Sequence, residues 1–176
     1  MRIWTIGHST RRIDEFISLL KENGIELLAD VRAWPGSKRY PHFNKEPLAE
    51  SLNAHGIRYE HFPELGGKRK PNPDSHNIAW RNTSFRGYAD YMETSAFETA
   101  VDRLKEIGKG ARVAVMCAEA LWWRCHRSLI ADYLTALGTR VLHIGGDGKV
   151  TQHALRPPAN VVEGRLSYPG EPTLGL

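Results

Sequence analysis

Two cysteines, Cys117 and Cys125, lie eight positions apart, and His126 and Arg127 follow the second at once. Thiol, imidazole and guanidinium in one stretch suit three chemistries. A thiolate beside cations is a nucleophile, or one half of a redox pair if its partner sulfur comes within disulfide reach. Thiols with histidines such as His8 or His143 could instead ligate zinc or iron, but the chain has no Cys-x-x-Cys pair and no metal is assigned. The bland alternative is a small core cysteine next to a histidine bonded to backbone. The distance from Cys117 to Arg124 exceeds by one residue the cysteine, five residues, arginine pattern of phosphatase loops, and that loop's glycines are missing, which argues against a phosphatase. With Glu119 nearby as an acid–base or orienting group, Cys117, Glu119 and His126 form the candidate catalytic set.

Such groups act only if secondary structure brings them together. Arg2 to Ile6 is an apolar run ending in Gly7 and predicts a strand. Ile13, Phe16, Ile17 and Leu20 mark one face of a helix, with Asp14 and Glu15 in its first turn and Asn23-Gly24 as its stop. Ile25 to Val31 predicts a second strand, so the first 31 residues read as a strand–helix–strand unit with parallel pairing. A helix over 46–55, a strand over 57–62, a long Pro-, Gly- and Asn-rich connection to Thr83, and helices over 85–92 and 96–107 follow. Arg112 to Met116 has no polar residue between its ends, as a central parallel strand should. A helix over 121–137 and a strand over 140–144 come next. A glycine turn then leads to a possible hairpin arm over 149–155. The chain beyond Pro157-Pro158 reads as loop. The expected architecture is α/β: a single-domain, Rossmann-like, three-layer fold over 1–165, with a mainly parallel sheet of about five strands and a tail from 166 to 176.

In parallel sheets with helices on both faces, ligands bind beyond the carboxyl ends of the strands. Those ends hold Gly7, His8 and Ser9; Asp30 and Arg32; Cys117 and Glu119; and His143. Gly7, His8, Ser9, Asp30, Arg32, Arg124, Cys125 and Arg127 are therefore the candidate substrate-binding residues. The arginines suit an anionic small molecule such as a nucleotide or phosphorylated metabolite. Cys117, placed before a helix N-terminus, gains a thiolate-stabilising environment.

Composition narrows the setting. The chain has 176 residues, 41% of them hydrophobic and 25% charged, and 24 Lys and Arg against 20 Asp and Glu give a net charge of +4. That suits one soluble domain without a membrane partner. The N-terminus carries no signal pattern, so a cytoplasmic location is expected. The basic, aromatic stretch from Lys68 to Arg86 supports an alternative: a non-catalytic module binding nucleic acid or a nucleotide. No cofactor and no oligomeric state can be read from the residues.

Several longer stretches form a recognisable pattern. They are Gly7-His8-Ser9; Asp30-Val31-Arg32 with Pro35 and Ser37; Phe43-Asn44; Pro63 to Gly67; Trp80 to Met92; Cys117-Ala118-Glu119; and Cys125 to Ser128. Together they resemble the domain-of-unknown-function 488 family over about residues 1 to 165. The resemblance implies a Rossmann-like, cytoplasmic, prokaryotic protein. It also implies a signature set of His8, Ser9, Asp30, Arg32, Cys117, Glu119, Cys125, His126 and Arg127, with no settled reaction. Trp122 stands where proline is common in such sequences, which bears on where the following helix starts.

Overall fold

Period-two alternation along Val113–Cys117 sends Val113, Val115 and Cys117 to one face of the sheet and Ala114 and Met116 to the other, and all five are buried. A strand apolar on both faces belongs in the middle of a sheet covered on both sides. The computed structural model, which describes residues 1–170, places it there.

The strands are β1 (Arg2–Gly7), β2 (Leu27–Asp30), β3 (Arg58–His61), β4 (Val113–Cys117), β5 (Arg140–Ile144) and β6 (Val150–Gln152). Their order in the sheet is β3-β2-β4-β1-β5-β6; the first five are parallel and β6 pairs antiparallel with β5. The hairpin arm expected over 149–155 is this sixth strand. One expectation changes. β1 and β2 run parallel but do not pair, because β4 lies between them and bonds to both. The most apolar strand takes the most covered position, and the first crossover spans it.

Helices α1 (Ile13–Glu22) and α2 (Lys45–Ala54) cover one face through Phe16, Ile17, Leu20, Leu48 and Leu52. Helices α3 (Thr83–Tyr91), α4 (Ser95–Gly110) and α5 (Arg127–Ala136) cover the other, with Tyr88, Phe97, Leu104, Leu129 and Ile130. The result is the expected three-layer α/β architecture. α3 starts two residues earlier than the apolar pattern predicts because the Asn82 side chain accepts from the backbone N–H groups of Ser84 and Phe85.

Two regions differ from their sequence reading. The helix expected from residue 121 begins at Arg127. Before it come a single 3-10 turn, Trp122–Arg124, and an extended Cys125. Beyond Pro158 the chain is not loop throughout. β7 (Asn160–Val162) and β8 (Arg165–Ser167) form a hairpin across Glu163-Gly164, both at positive φ, and Tyr168 is buried after it. The long connection after β3 is tied down by Asp90 of α3. This carboxylate accepts from Asn72 N, Ser75 Oγ and Asn77 Nδ2, and these bonds hold it below the usual carboxylate range against its own desolvation.

β1 sends its chain towards β2 on one side, while β4 sends its chain past β1 to β5 on the other. Connections diverging from adjacent strands leave a crevice at their carboxyl ends. The segments after Gly7 and after Cys117 meet there, and His8 N and Ser9 N bond to Cys117 O and Ala118 O, both at 3.0 Å.

Candidate functional site

The alternation that turns Cys117 away from α1 aims it at the turn leading into α5. Cys125 is extended, the last residue before the cap of that helix, and Ser128 closes on its carbonyl through both N and Oγ. The two sulfurs lie 2.9 Å apart as free thiols. The helix N-terminus thus serves Cys125, not Cys117 as the longer helix of the sequence reading placed it.

The thiols have opposite electrostatic surroundings. The two sulfurs share one S–H bond, and the Cys125 sulfur lies 3.4 Å from Arg127 Nε. The bond from Cys117, then the charge and N–H groups of Arg127, pull its pKa below the ordinary thiol range although burial opposes them. Burial pushes Cys117 well above that range, helped by the same S–H bond. Cys125 is therefore the thiolate and Cys117 its proton-bearing donor. Relative exposures of 9% and 2% agree with that division.

Arg127 is buried, and its other contacts are Glu119 O at 2.6 Å and Ala120 O at 3.4 Å. It cannot also reach a ligand in solvent; it holds the 117–120 turn and faces Cys125. Gly7 makes this possible. A Cβ there would stand 1.7 Å from Glu119 O and 2.9 Å from Arg127 Nη2. Gly7→Ala must displace backbone, so a loss of about 3 kcal/mol in urea unfolding is expected, with slower Cys125 alkylation. Gly110→Ala at the end of α4, where nothing lies within 4 Å of the new Cβ and which lines neither hollow of the site, serves as the control.

Asp30 and Arg32 form a buried pair at the end of β2. Arg32 Nη2 donates to Oδ2 at 2.6 Å, Nε donates to Oδ1 at 2.9 Å, and Tyr59 Oη donates to Oδ2 at 2.7 Å. Desolvation and the Asp30 charge push the Tyr59 phenol well up, so it stays a donor. The third guanidinium nitrogen, Nη1, donates to His8 Nε2 at 3.3 Å. Because His8 Nδ1 meets Ser9 O at 2.9 Å, His8 is the neutral tautomer with its proton on Nδ1. Its ring stacks on Phe43, with centroids 4.3 Å apart. Ser9 sits in the left-handed region at φ 51°, a conformation that costs energy for a residue with a Cβ.

His126 Nε2 donates to Val31 O at 3.0 Å, which leaves the Nδ1 lone pair without a proton. Gly67 lies against that atom, and a Cβ on it would come within 2.9 Å. His126 points to the strand ends from the cap position just before α5. Burial lowers His8 and His126 to about 4 and His143 to about 3. A histidine with a folded pKa below its unfolded 6.5 takes up a proton on unfolding between the two values, so its stabilisation is complete above 6.5 and is lost as pH falls. Unfolding free energy should therefore decline below pH 6.5 with a slope approaching ~4 kcal/mol per pH unit for three such groups. A flat melting temperature from pH 6.5 to 4.5 would contradict these environments.

Arg32, Trp34, Gly67, Lys68, Glu119, Cys117, Cys125 and His126 line one hollow of about 350 Å³. A second, of about 460 Å³, shares Arg32, Trp34 and Glu119 with it and adds His8, Ser9 and Arg39. The fold thus brings His8, Ser9, Arg32, Cys117, Glu119, Cys125 and His126 together, with Gly7, Asp30 and Arg127 beneath as supports. Arg124 is exposed and lines neither hollow. Glu119 is also exposed, and its backbone carbonyl makes the contact with Arg127.

Sequence reading missed Trp34, Lys68 as a lining residue and Tyr59, while Gly67 falls in the Pro63 to Gly67 stretch already singled out. Trp34 is 81% exposed, and a tryptophan between Arg32 and Pro35 in a loop was the available signal. In the basic aromatic stretch, Trp80 stacks on Phe85 and Tyr88 is buried. Arg86 caps Trp80 O, and Arg69 lies 3.7 Å over the Tyr91 ring. Tyr88 is core, and Trp80, Phe85 and Tyr91 pack half-buried against it.

His143 and His153 meet across the β5–β6 pair, Nε2 to Nδ1 at 2.9 Å. They continue a buried chain from Thr5 Oγ1 to Asp132, which also accepts from Tyr168 Oη. Trp122 stacks flat on His143 at 4.1 Å, which anchors the turn carrying Cys125. Among the described residues no group of three or more His, Cys, Asp or Glu could hold a metal ion, and no helix is long and apolar enough to cross a membrane.

Residues 12–134 match the family model described as Domain of unknown function DUF488. No curated protein and no solved structure matches the chain.

Proposed function

The chain belongs to the DUF488 family, and from that premise we propose that it is a cysteine-dependent enzyme acting on a small anionic substrate where the parallel strands end. One observation carries this reading: a thiol favoured as thiolate, Cys125, shares a hollow with Arg32, Lys68 and an imidazole nitrogen free to accept a proton. Structural cysteines are usually inert in apolar surroundings with no cation aimed at them. Here a buried guanidinium faces the sulfur, and a second, fixed by Asp30, faces the space in front of it.

In this reading Cys125 Sγ attacks an electrophilic centre of the substrate. Cys117 is not the attacking atom; it donates the hydrogen bond that keeps Cys125 ionised. Arg32 and Lys68 draw the anionic group in, with His8 holding the Arg32 edge. His126 Nδ1 accepts a proton from an attacking water or from the group it orients. Glu119, with its side chain in solvent at the rim, orients polar substrate groups rather than titrating in a dry site.

The test compares iodoacetate with iodoacetamide. The anionic reagent should gain on the neutral one by about tenfold relative to the same ratio for free cysteine, and Lys68→Met should remove most of the gain. Inorganic phosphate should protect Cys125 competitively. Equal ratios for protein and free thiol would overturn the anionic substrate.

The second reading, a binding module without catalysis, is favoured by Trp34, an exposed ring beside Arg39 and Lys68 on which a base could stack. It predicts an inert Cys125, quenching of Trp34 fluorescence by single-stranded nucleic acid, and a steep loss of affinity with salt.

A further inference from the structure

We propose that Cys117 and Cys125 work as a two-electron dithiol/disulfide couple that reduces small anionic disulfides, with Cys125 attacking and Cys117 resolving. This rests on the reading of Cys125 as the reactive thiolate and adds the substrate class and the second half of the reaction. Three observations lead to it. The sulfurs are 2.9 Å apart although eight residues separate them in the chain. That proximity is built by two independent elements: the pleat of β4, which aims Cys117 at α5, and the extended residue before α5, which turns Cys125 back towards the strand. Both sulfurs line the hollow that also holds Arg32 and Lys68, with Glu119 the one carboxylate among its lining residues. A purely structural pair of core thiols needs neither an opening nor a guanidinium on one of its members.

The chemistry balances as follows. The Cys125 thiolate attacks one sulfur of a bound disulfide; the sulfur–sulfur bond breaks, and one thiolate leaves. That thiolate takes the Cys117 proton. Cys117 Sγ then attacks Cys125 Sγ, breaks the mixed disulfide and expels the second thiolate, which takes a proton from water to replace the one Cys125 had lost. The substrate gains two electrons and two protons as two thiols, and the protein is left with one internal disulfide. A dithiol reductant reopens the Cys117–Cys125 bond by two exchanges of the same kind, is itself oxidised to a disulfide and restores the reduced protein.

The experiment uses the full chain, reduced and handled without oxygen, with oxidised glutathione as the anionic disulfide and cystamine as its cationic counterpart. Reactions are stopped with iodoacetamide and read by intact mass and peptide mapping. With oxidised glutathione the wild type should lose two hydrogens, take up no alkylating group and release two glutathione molecules, about tenfold faster than with cystamine. Cys117→Ser should stop at a glutathione adduct on Cys125, and Cys117→Ala is the second variant should serine disturb the fold. Cys125→Ser should form no adduct on this timescale.

Accumulation of a stable glutathione adduct on wild-type Cys125 would overturn the couple while leaving the thiolate reading intact. Equal rates for the two disulfides would overturn the substrate class. Failure of Cys125 to react with either disulfide or with iodoacetamide would sink both proposals together.

Discussion

Cys125→Ser is expected to remove all fast alkylation of this protein near neutral pH, and Cys117→Ala to slow it several-fold. An ordinary thiol with a pKa of ~8.5 is only a few per cent ionised at pH 7. Cys125 has three aids that such a thiol lacks: the Cys117 S–H bond, the Arg127 charge and N–H, and the start of α5. Greater ionisation multiplies the reactive fraction by roughly thirty, and the lower intrinsic nucleophilicity of a stabilised thiolate takes back part of that, leaving about tenfold. Removing the Cys117 donor removes the largest of the three effects on Cys125. Cys117→Ser keeps an O–H in its place and should fall between alanine and wild type. That ordering separates a hydrogen-bond role from a packing role. The measurement is the pH profile of iodoacetamide incorporation, followed by peptide mapping. Labelling of Cys117 with Cys125 untouched would reverse the assignment.

Asp30→Ala should cost about 3 to 5 kcal/mol of stability, the range for removing one member of a buried ion pair. Asp30 is fully buried and Arg32 nearly so, and the carboxylate also accepts from Tyr59 Oη and from Arg32 N. Without Asp30 a guanidinium remains in a poorly solvated place with two of its edges unmatched, and a half-buried phenol loses its acceptor. Tyr59→Phe, which removes one hydrogen bond and leaves the ion pair, should cost about 1 kcal/mol. Urea unfolding of the two variants checks both values. Asp30→Ala should also weaken phosphate protection of Cys125, because the Arg32 edge facing His8 loses its second fixed point. A loss below about 1 kcal/mol for Asp30→Ala would mean that Arg32 swings into solvent, and the fixed cation of the proposed site would be lost with it.

The fold was largely legible because its signals are local. Period-two and period-3.6 patterns and punctuating glycines located β1 to β5, α1 and α4, and placed Asp30 and Arg32 at a strand end. The order of strands was not legible. Strand pairing is non-local, and nothing in residues 1–31 says that residues 113–117 will lie between β1 and β2. The start of α5 was misplaced for a related reason. Leu121 and Trp122 fit an apolar periodicity, but Trp122 is held by His143 from another strand, and that contact favours a turn over another helical turn.

Residue types and spacing alone determined that thiol, imidazole and guanidinium groups would gather where parallel strands end, since any strand followed by a loop delivers its terminal residues to the same edge. Which sulfur ionises was decided by the tertiary structure. A pKa depends on what surrounds a group within a few ångströms, and here those neighbours come from β4, from the turn before α5 and from the guanidinium that Gly7 leaves room for.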